Sequence, residues 1–223
     1  MNARAVVLPM VALGVGLVAW WQSAPAGQGA TPAATWRVGP VDEFEQARNY
    51  HELPADSPVR LSFVSRTPRH VYVLSNSAED GTLLLSPSPE GDGSPGNPLP
   101  AGRTVLPGRR EGRELAWTTR AEIRATTCYV VVASDEPVPE LEALLPRLRR
   151  WSNKALTDRS MQVTNPRGEV EVAGAPRQGW PAPVLARAAA RAAAEVQVNG
   201  PLQPDERLPR VWSAALRVRE RAR

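Results

Sequence analysis

Apolar and polar positions alternate with a period of two through Val59–Val64 (VRLSFV). Val59, Leu61 and Phe63 share one face there, and Arg60 and Ser62 share the other, the pattern of a strand with one buried side. His70–Asn76 (HVYVLSN) is apolar on both faces, with Val71 and Val73 on one and Tyr72 and Leu74 on the other. Asp80-Gly81 follows, a pair that supplies positive φ to a hairpin turn, and Thr82–Ser86 (TLLLS) returns as the partner strand. Cys128–Ala133 (CYVVVA) has no polar face, which predicts a central strand covered on each side. Shorter strands are expected around Thr104–Leu106 and Glu114–Thr118, and a first edge strand at Trp36–Val41. Asp42–Asn49 fits either a short helix or an extended piece. Pro87–Pro100 (PSPEGDGSPGNPLP) is a loop by its proline content.

The period changes after the apolar run. Ser134-Asp135-Glu136-Pro137 offers capping chemistry, and in Pro139–Arg150 (PELEALLPRLRR) the residues Leu141, Leu144, Leu145 and Leu148 form an i, i+3, i+4, i+7 stripe. Glu140 and Glu142 near its start and Arg147, Arg149 and Arg150 near its end suit the helix dipole. Pro146 is expected to kink this helix, and its stripe to dock on the domain's own sheet. Further on, Glu169–Val172 (EVEV) is a candidate strand, Ala182–Val196 an Ala-rich helix, and Asn199–Arg223 a tail. The expected fold is mainly β, a β-sandwich-like domain over 36–151 with one or two peripheral helices. Residues 152–223 are expected to form a Pro/Arg/Ala-rich extension, partly disordered, with a helix at 182–196.

Composition adds a location. Ala5–Trp21 (AVVLPMVALGVGLVAWW) carries no charge, with Arg4 before it and no further charge until Arg37. That length meets the short limit of a membrane span of about 17–25 residues, and Trp20 and Trp21 close it as an interfacial belt would. Residues 1–26 are therefore expected to be a transmembrane anchor, or a signal peptide cleaved at the small-residue site Ala24-Pro25-Ala26. Either way the remainder is exported, beyond a flexible spacer at 27–35. The anchor implies a single-pass inner-membrane protein with a periplasmic domain, and cleavage a periplasmic one.

The formal charge of +4 is uneven. Trp36–Val138 holds 11 Arg against 14 acidic residues, and Pro139–Arg223 holds 15 Lys and Arg against 9. The basic half spreads its charge among Pro and Ala, without a dense run or interleaved aromatics, so a solvated tail is expected and no nucleic-acid partner.

No catalytic, cofactor-binding or metal residues emerge. Gly91, Gly93 and Gly96 spell G-x-G-x-x-G, but Pro95 and Pro98 flank the last glycine and no helix can open there to hold a pyrophosphate. Asp80, Glu90 and Asp92 lack the alternating acidic positions of a calcium loop. His51 and His70, the two histidines, have no second ligand near them in sequence, and nothing resembles a nucleophile elbow. Cys128, the single cysteine, permits no internal disulfide and reads as a buried, inert thiol. Trp117 and Trp151 read as core or seam residues.

Five pieces in order resemble the bacterial family called domain of unknown function 4384. They are VRLSF at Val59–Phe63, HVYVLSN at His70–Asn76, DGTLLLSPSP at Asp80–Pro89, LPAGRTVLPG at Leu99–Gly108 and YVVVASDEPVPELE at Tyr129–Glu142. The resemblance covers about residues 58–148 and implies a β-sandwich module of envelope or multidomain signalling proteins. In such proteins a zinc-binding anti-sigma domain sometimes lies across the membrane; here only Met1–Arg4 would remain there. With the export segment and the lack of a recognisable active site, it leads to the expectation of a non-enzymatic envelope module that binds a protein partner and holds the membrane through its N-terminal helix. The alternative is a periplasmic domain that binds a small molecule or cell-wall glycan.

Overall fold

The computed structural model describes residues 31–39, 45–54, 57–77, 81–88, 95–118, 126–150, 152, 179–194 and 198–221. The alternation of Val59, Leu61 and Phe63 does form a strand, β4 (Pro58–Ser65), which pairs antiparallel with β1 (Ala33–Val38) over six residues. Short strands flank this pair. β2 (Glu45–Gln46) and β12 (Gly200–Pro201) line β1, while β7 (Gly102–Leu106) and β10 (Trp117–Thr118) line β4. These six form sheet A, and β8 (Arg109–Arg110) with β9 (Arg113–Glu114) makes a small hairpin beside it. Sheet B runs β13 (Gln203–Pro204), β14 (Val211–Arg221), β11 (Thr126–Ser134), β5 (His70–Ser77), β6 (Gly81–Ser86), and β3 (His51–Pro54) joins β14 in parallel.

The protein is mainly β, and the two sheets share one core. Trp36, Val38, Val59, Leu61, Phe63 and Leu106 come from sheet A; Val71, Val73, Tyr129, Val131, Leu216 and Val218 come from sheet B. Trp36 and Tyr129 meet across it with ring centroids 5.7 Å apart. The other face of sheet B is covered as well. Tyr72, Leu74, Leu84, Val130 and Val132 pack under Leu141, Leu145 and Leu148, and under Val184, Leu185 and Ala188. These belong to α1 (Pro139–Glu142), the helical residues 145–150 and α2 (Pro183–Ala194). Burial on both sides is why β5 is apolar over Val71–Leu74 and β11 over Cys128–Ala133.

The leucine stripe thus docks as its spacing requires, and the helix is interrupted at 143–144, with Pro146 in the first turn of the second piece, where a missing N–H costs nothing. The Tyr72 hydroxyl pins α1, donating to Glu142 Oε1 at 2.5 Å and accepting the Val138 N–H at 3.3 Å. The hairpin of β5 and β6 forms with Gly81 at φ +65°; its tip, including Asp80, lies outside the described residues.

Two expectations need correction, and one open reading is resolved. The first strand begins at Ala33, inside the expected spacer, and is flanked on both sides; Ala33 and Thr35 face outward while Ala34, Trp36 and Val38 face the core, so small residues hid the alternation. Asp42–Asn49 holds the short strand β2 among its described residues. The larger correction concerns 152–223. Its helix is present as α2, but Val211–Arg221 is no tail. It pairs with β11 over nine residues and is a central strand of sheet B, so a domain boundary at 151 does not exist. The candidate strand Glu169–Val172 and the N-terminal segment 1–26 lie outside the described residues. Among the described residues no helix is long and apolar enough to cross a membrane.

Where the short outer strands leave gaps, asparagine side chains complete the ladders. Between β12 and β2, the Trp36 N–H donates to Asn199 Oδ1 at 2.7 Å, and Asn199 Nδ2 donates to the Ala47 carbonyl at 2.7 Å. Between β13 and β3, the Arg217 N–H donates to Asn49 Oδ1 at 2.9 Å. Past the end of β6, the Val71 N–H donates to Asn97 Oδ1 at 2.8 Å. Interrupted and side-chain-capped edges are poor templates for a further strand.

Candidate functional site

Register places arginines together on the outer face of sheet A. Odd positions of β4 enter the core, so Arg60, Ser62 and Val64 face outward. Arg37 of β1 stands directly opposite Arg60, Thr35 opposite Ser62, and Arg103 of β7 opposite Val64. Arg103 lies back along the sheet, its Nε donating to Ser62 Oγ at 2.9 Å. From the β8–β9 hairpin comes one carboxylate, Glu114. It accepts from Arg60 Nη1 at 2.8 Å and from Arg109 Nη2 at 2.9 Å, while its carbonyl accepts Arg60 Nη2 at 3.0 Å. The hydrogen bond from Arg109, with the charges of Arg60, Arg109 and Arg103, holds the Glu114 carboxyl below its ordinary pKa against a smaller opposing effect of burial.

Arg60 and Arg109 therefore share the Glu114 carboxylate, the charge of Arg103 acts on it as well, and Arg37 stands opposite Arg60. Arg103 and Arg109 are exposed, Arg37 is half-buried, and Arg60 is buried at 7% exposure. Arg37 Nε is shielded from solvent with no hydrogen-bond partner. Like charges directly opposite in an antiparallel pair are destabilising, so the Arg37–Arg60 placement works against the fold. Local rules of this kind are broken chiefly at functional or strained sites. Chemically, such a face can hold planar or tetrahedral anions through bidentate guanidinium forks.

Two other charged clusters are held by partners within the chain. Arg69, 1% exposed, pairs with Asp135, donates from Nε to Ser65 Oγ at 3.3 Å and lies 4.5 Å over the Trp212 ring. Burial, and secondarily Arg210, lower its pKa. Arg187 clamps Asp205 with two bonds of 2.9 and 3.0 Å.

The residues weighed from sequence do not converge. His51 lies beside Val218 and close to Glu45, with Nε2 3.1 Å from Oε1. His70 pairs with Ser134, which pairs with Val211, and seven residues of strand β14 separate the two rows by about 23 Å. Burial pushes the Cys128 thiol up to about 11. Trp117 packs at the edge of the inter-sheet core. Gly96 has open space around it; Asp80, Glu90, Gly91, Asp92, Gly93 and Trp151 lie outside the described residues. Among the described residues no three His, Cys, Asp or Glu side chains gather as metal ligands.

Sequence inspection missed Arg37, Arg60, Arg103 and Arg109 as a group. The available signal was Arg60 alone, an arginine at a polar position of a strongly alternating strand. Compared with known proteins, the chain matches no family model, no curated protein and no solved structure.

Proposed function

We propose that this protein is a non-enzymatic binding module of the bacterial envelope, a β-sandwich domain held on the periplasmic side of the inner membrane by its N-terminal apolar segment, or released there if that segment is cleaved. Its work is to engage a protein partner, as an accessory to a membrane-linked regulatory system. The resemblance of residues 58–148 to domain of unknown function 4384 supports the setting, and the uncharged run Ala5–Trp21 supports export. The observation that carries the binding reading is the arginine face of sheet A. Sheet B has one face in the core and the other under helices, whereas the outer face of sheet A carries Arg37, Arg60 and Arg103 with the Glu114 carboxylate brought beside them.

The test is site-directed photocross-linking of the full-length chain in its own membranes. A benzophenone amino acid at Val105, on the arginine face, should give a discrete protein adduct. The same group at Ala186, exposed on α2, should not. Equal adducts from both positions, or none from Val105, would overturn the reading.

A further inference from the structure

We infer that the arginine face takes an extended acidic segment of its partner, with carboxylates at alternate positions. This rests on the reading that the outer face of sheet A binds a protein, and names the chemistry of what it binds.

Carboxylate recognition is already present in the molecule. Glu114 reaches the face from a neighbouring hairpin and is held by two guanidinium groups at 2.8 and 2.9 Å. Among the described residues Arg37 and Arg103 have no such partner: Arg37 Nε makes no hydrogen bond, and Arg103 rests on a serine hydroxyl. An incoming carboxylate would add a charge-assisted partner to these guanidinium groups. The floor between them is neutral: Thr35, Ser62, Val64 and Val105.

Spacing favours an extended chain. Arg37, Arg60 and Arg103 sit on three adjacent strands, β1, β4 and β7. Strands lie about 4.8 Å apart, and the four-residue offset between Arg60 and Val64 is about 14 Å along the strand. Arg103 folds back toward Ser62 and shortens that offset. In an extended peptide, side chains on one face recur about every 7 Å, so carboxylates at positions i and i+2 or i+4 can reach both cations while the segment lies diagonally over β4. A bilayer fits less well. Arg60 is almost fully buried and Arg103 lies along the sheet, so these groups do not protrude into a headgroup layer.

The test uses the full-length chain held in phosphatidylcholine nanodiscs and a fluorescein-labelled peptide of alternating Glu and Ser, read by anisotropy. The wild type should bind the peptide with an affinity that falls as salt rises. Arg37→Glu and Arg103→Glu should each weaken binding by tenfold or more. Arg37→Glu should at the same time raise the unfolding midpoint, because a like-charge cross-strand pair becomes an opposite one. A purely structural Arg37 predicts the reverse. Absence of peptide binding, unchanged binding in Arg37→Glu, or a lowered midpoint in that variant would overturn the inference. So would flotation of the nanodisc-held chain with phosphatidylglycerol vesicles in place of peptide binding, which would assign the face to lipid. If the peptide fails while the Val105 cross-link still forms, the binding reading stands and only the acidic chemistry falls. If both fail, the reading falls with it.

Discussion

Replacing Arg187 with Met severs the charged clamp between α2 and the turn ahead of β14. Arg187 Nε and Nη2 donate to Asp205 Oδ2 and Oδ1 at 3.0 and 2.9 Å, and the Asp205 side chain has no exposed surface. Its Oδ1 also accepts the N–H groups of Arg207 and Leu208 at 2.9 and 3.0 Å. Removing one partner of a buried pair costs about 3–5 kcal/mol when the survivor is left uncompensated. Here two backbone donors remain and Arg187 is partly solvated, which lowers the expected loss to about 2–3 kcal/mol. Burial alone would raise the Asp205 pKa, but the Arg187 fork and the backbone N–H groups outweigh it and hold the carboxyl below its ordinary value. A carboxyl with a depressed folded pKa contributes stability above its unfolded pKa and loses it as pH falls through the folded one. The Met variant should therefore lose stability at neutral pH and show a shallower decline in acid. Urea unfolding of the wild type, Arg187→Met, Asp205→Asn and the double variant measures both effects. The double should match Asp205→Asn closely, because the two changes act on one interaction. A loss under about 0.5 kcal/mol, the scale of an exposed pair, or an acid limb coincident with the wild type's would refute the argument.

Tyr72→Phe should cost about 1–2 kcal/mol by orphaning the buried Val138 N–H. Burial first, then the bond to Glu142, raise the Tyr72 pKa, so its stability is lost as pH climbs above the ordinary tyrosine range; thermal melts in alkali should show that drop in the wild type and not in the Phe variant. The Cys128 thiol, raised to about 11 by burial, should react with a thiol reagent only as fast as the domain opens, and rapid labelling of the native chain would contradict the packing of β11. Truncation after Arg210 removes Leu216 and Val218 from the core. It should abolish the cooperative transition seen by circular dichroism, and a truncated chain that still melts cooperatively would return this segment to the role of a tail.

Legibility followed the range of the interactions. The β5–β6 hairpin, the twice-covered β11 and the docked leucine stripe all declare themselves within about a dozen residues, through a period and a turn pair. β14 does carry a period of two, with Trp212, Ala214, Leu216 and Val218 toward the inter-sheet core. Its small alanines weaken that signal, and Arg217, Arg219 and Arg221 make the stretch resemble a solvated basic tail. Arg217 is in fact tied to α2, donating from Nη2 to the Ala189 carbonyl at 3.0 Å. No local feature reports this, because the partner strand of β14 lies far back in the chain. The arginine face was illegible for the same reason: Arg37, Arg60 and Arg103 become neighbours only once the registers of β1, β4 and β7 are known.

The position of β14 also bears on how the chain is made. Ser134 pairs with Val211, 77 positions later, so β11 leaves the ribosome long before the strand that must lie against it. Until then sheet B has an open edge of unpaired backbone groups along β11, and neither the inter-sheet core nor the helix layer is complete. A chain delivered N-terminus first thus stays without a complete core until residue 218 arrives. Such delayed, non-local pairing is slow and prone to aggregation.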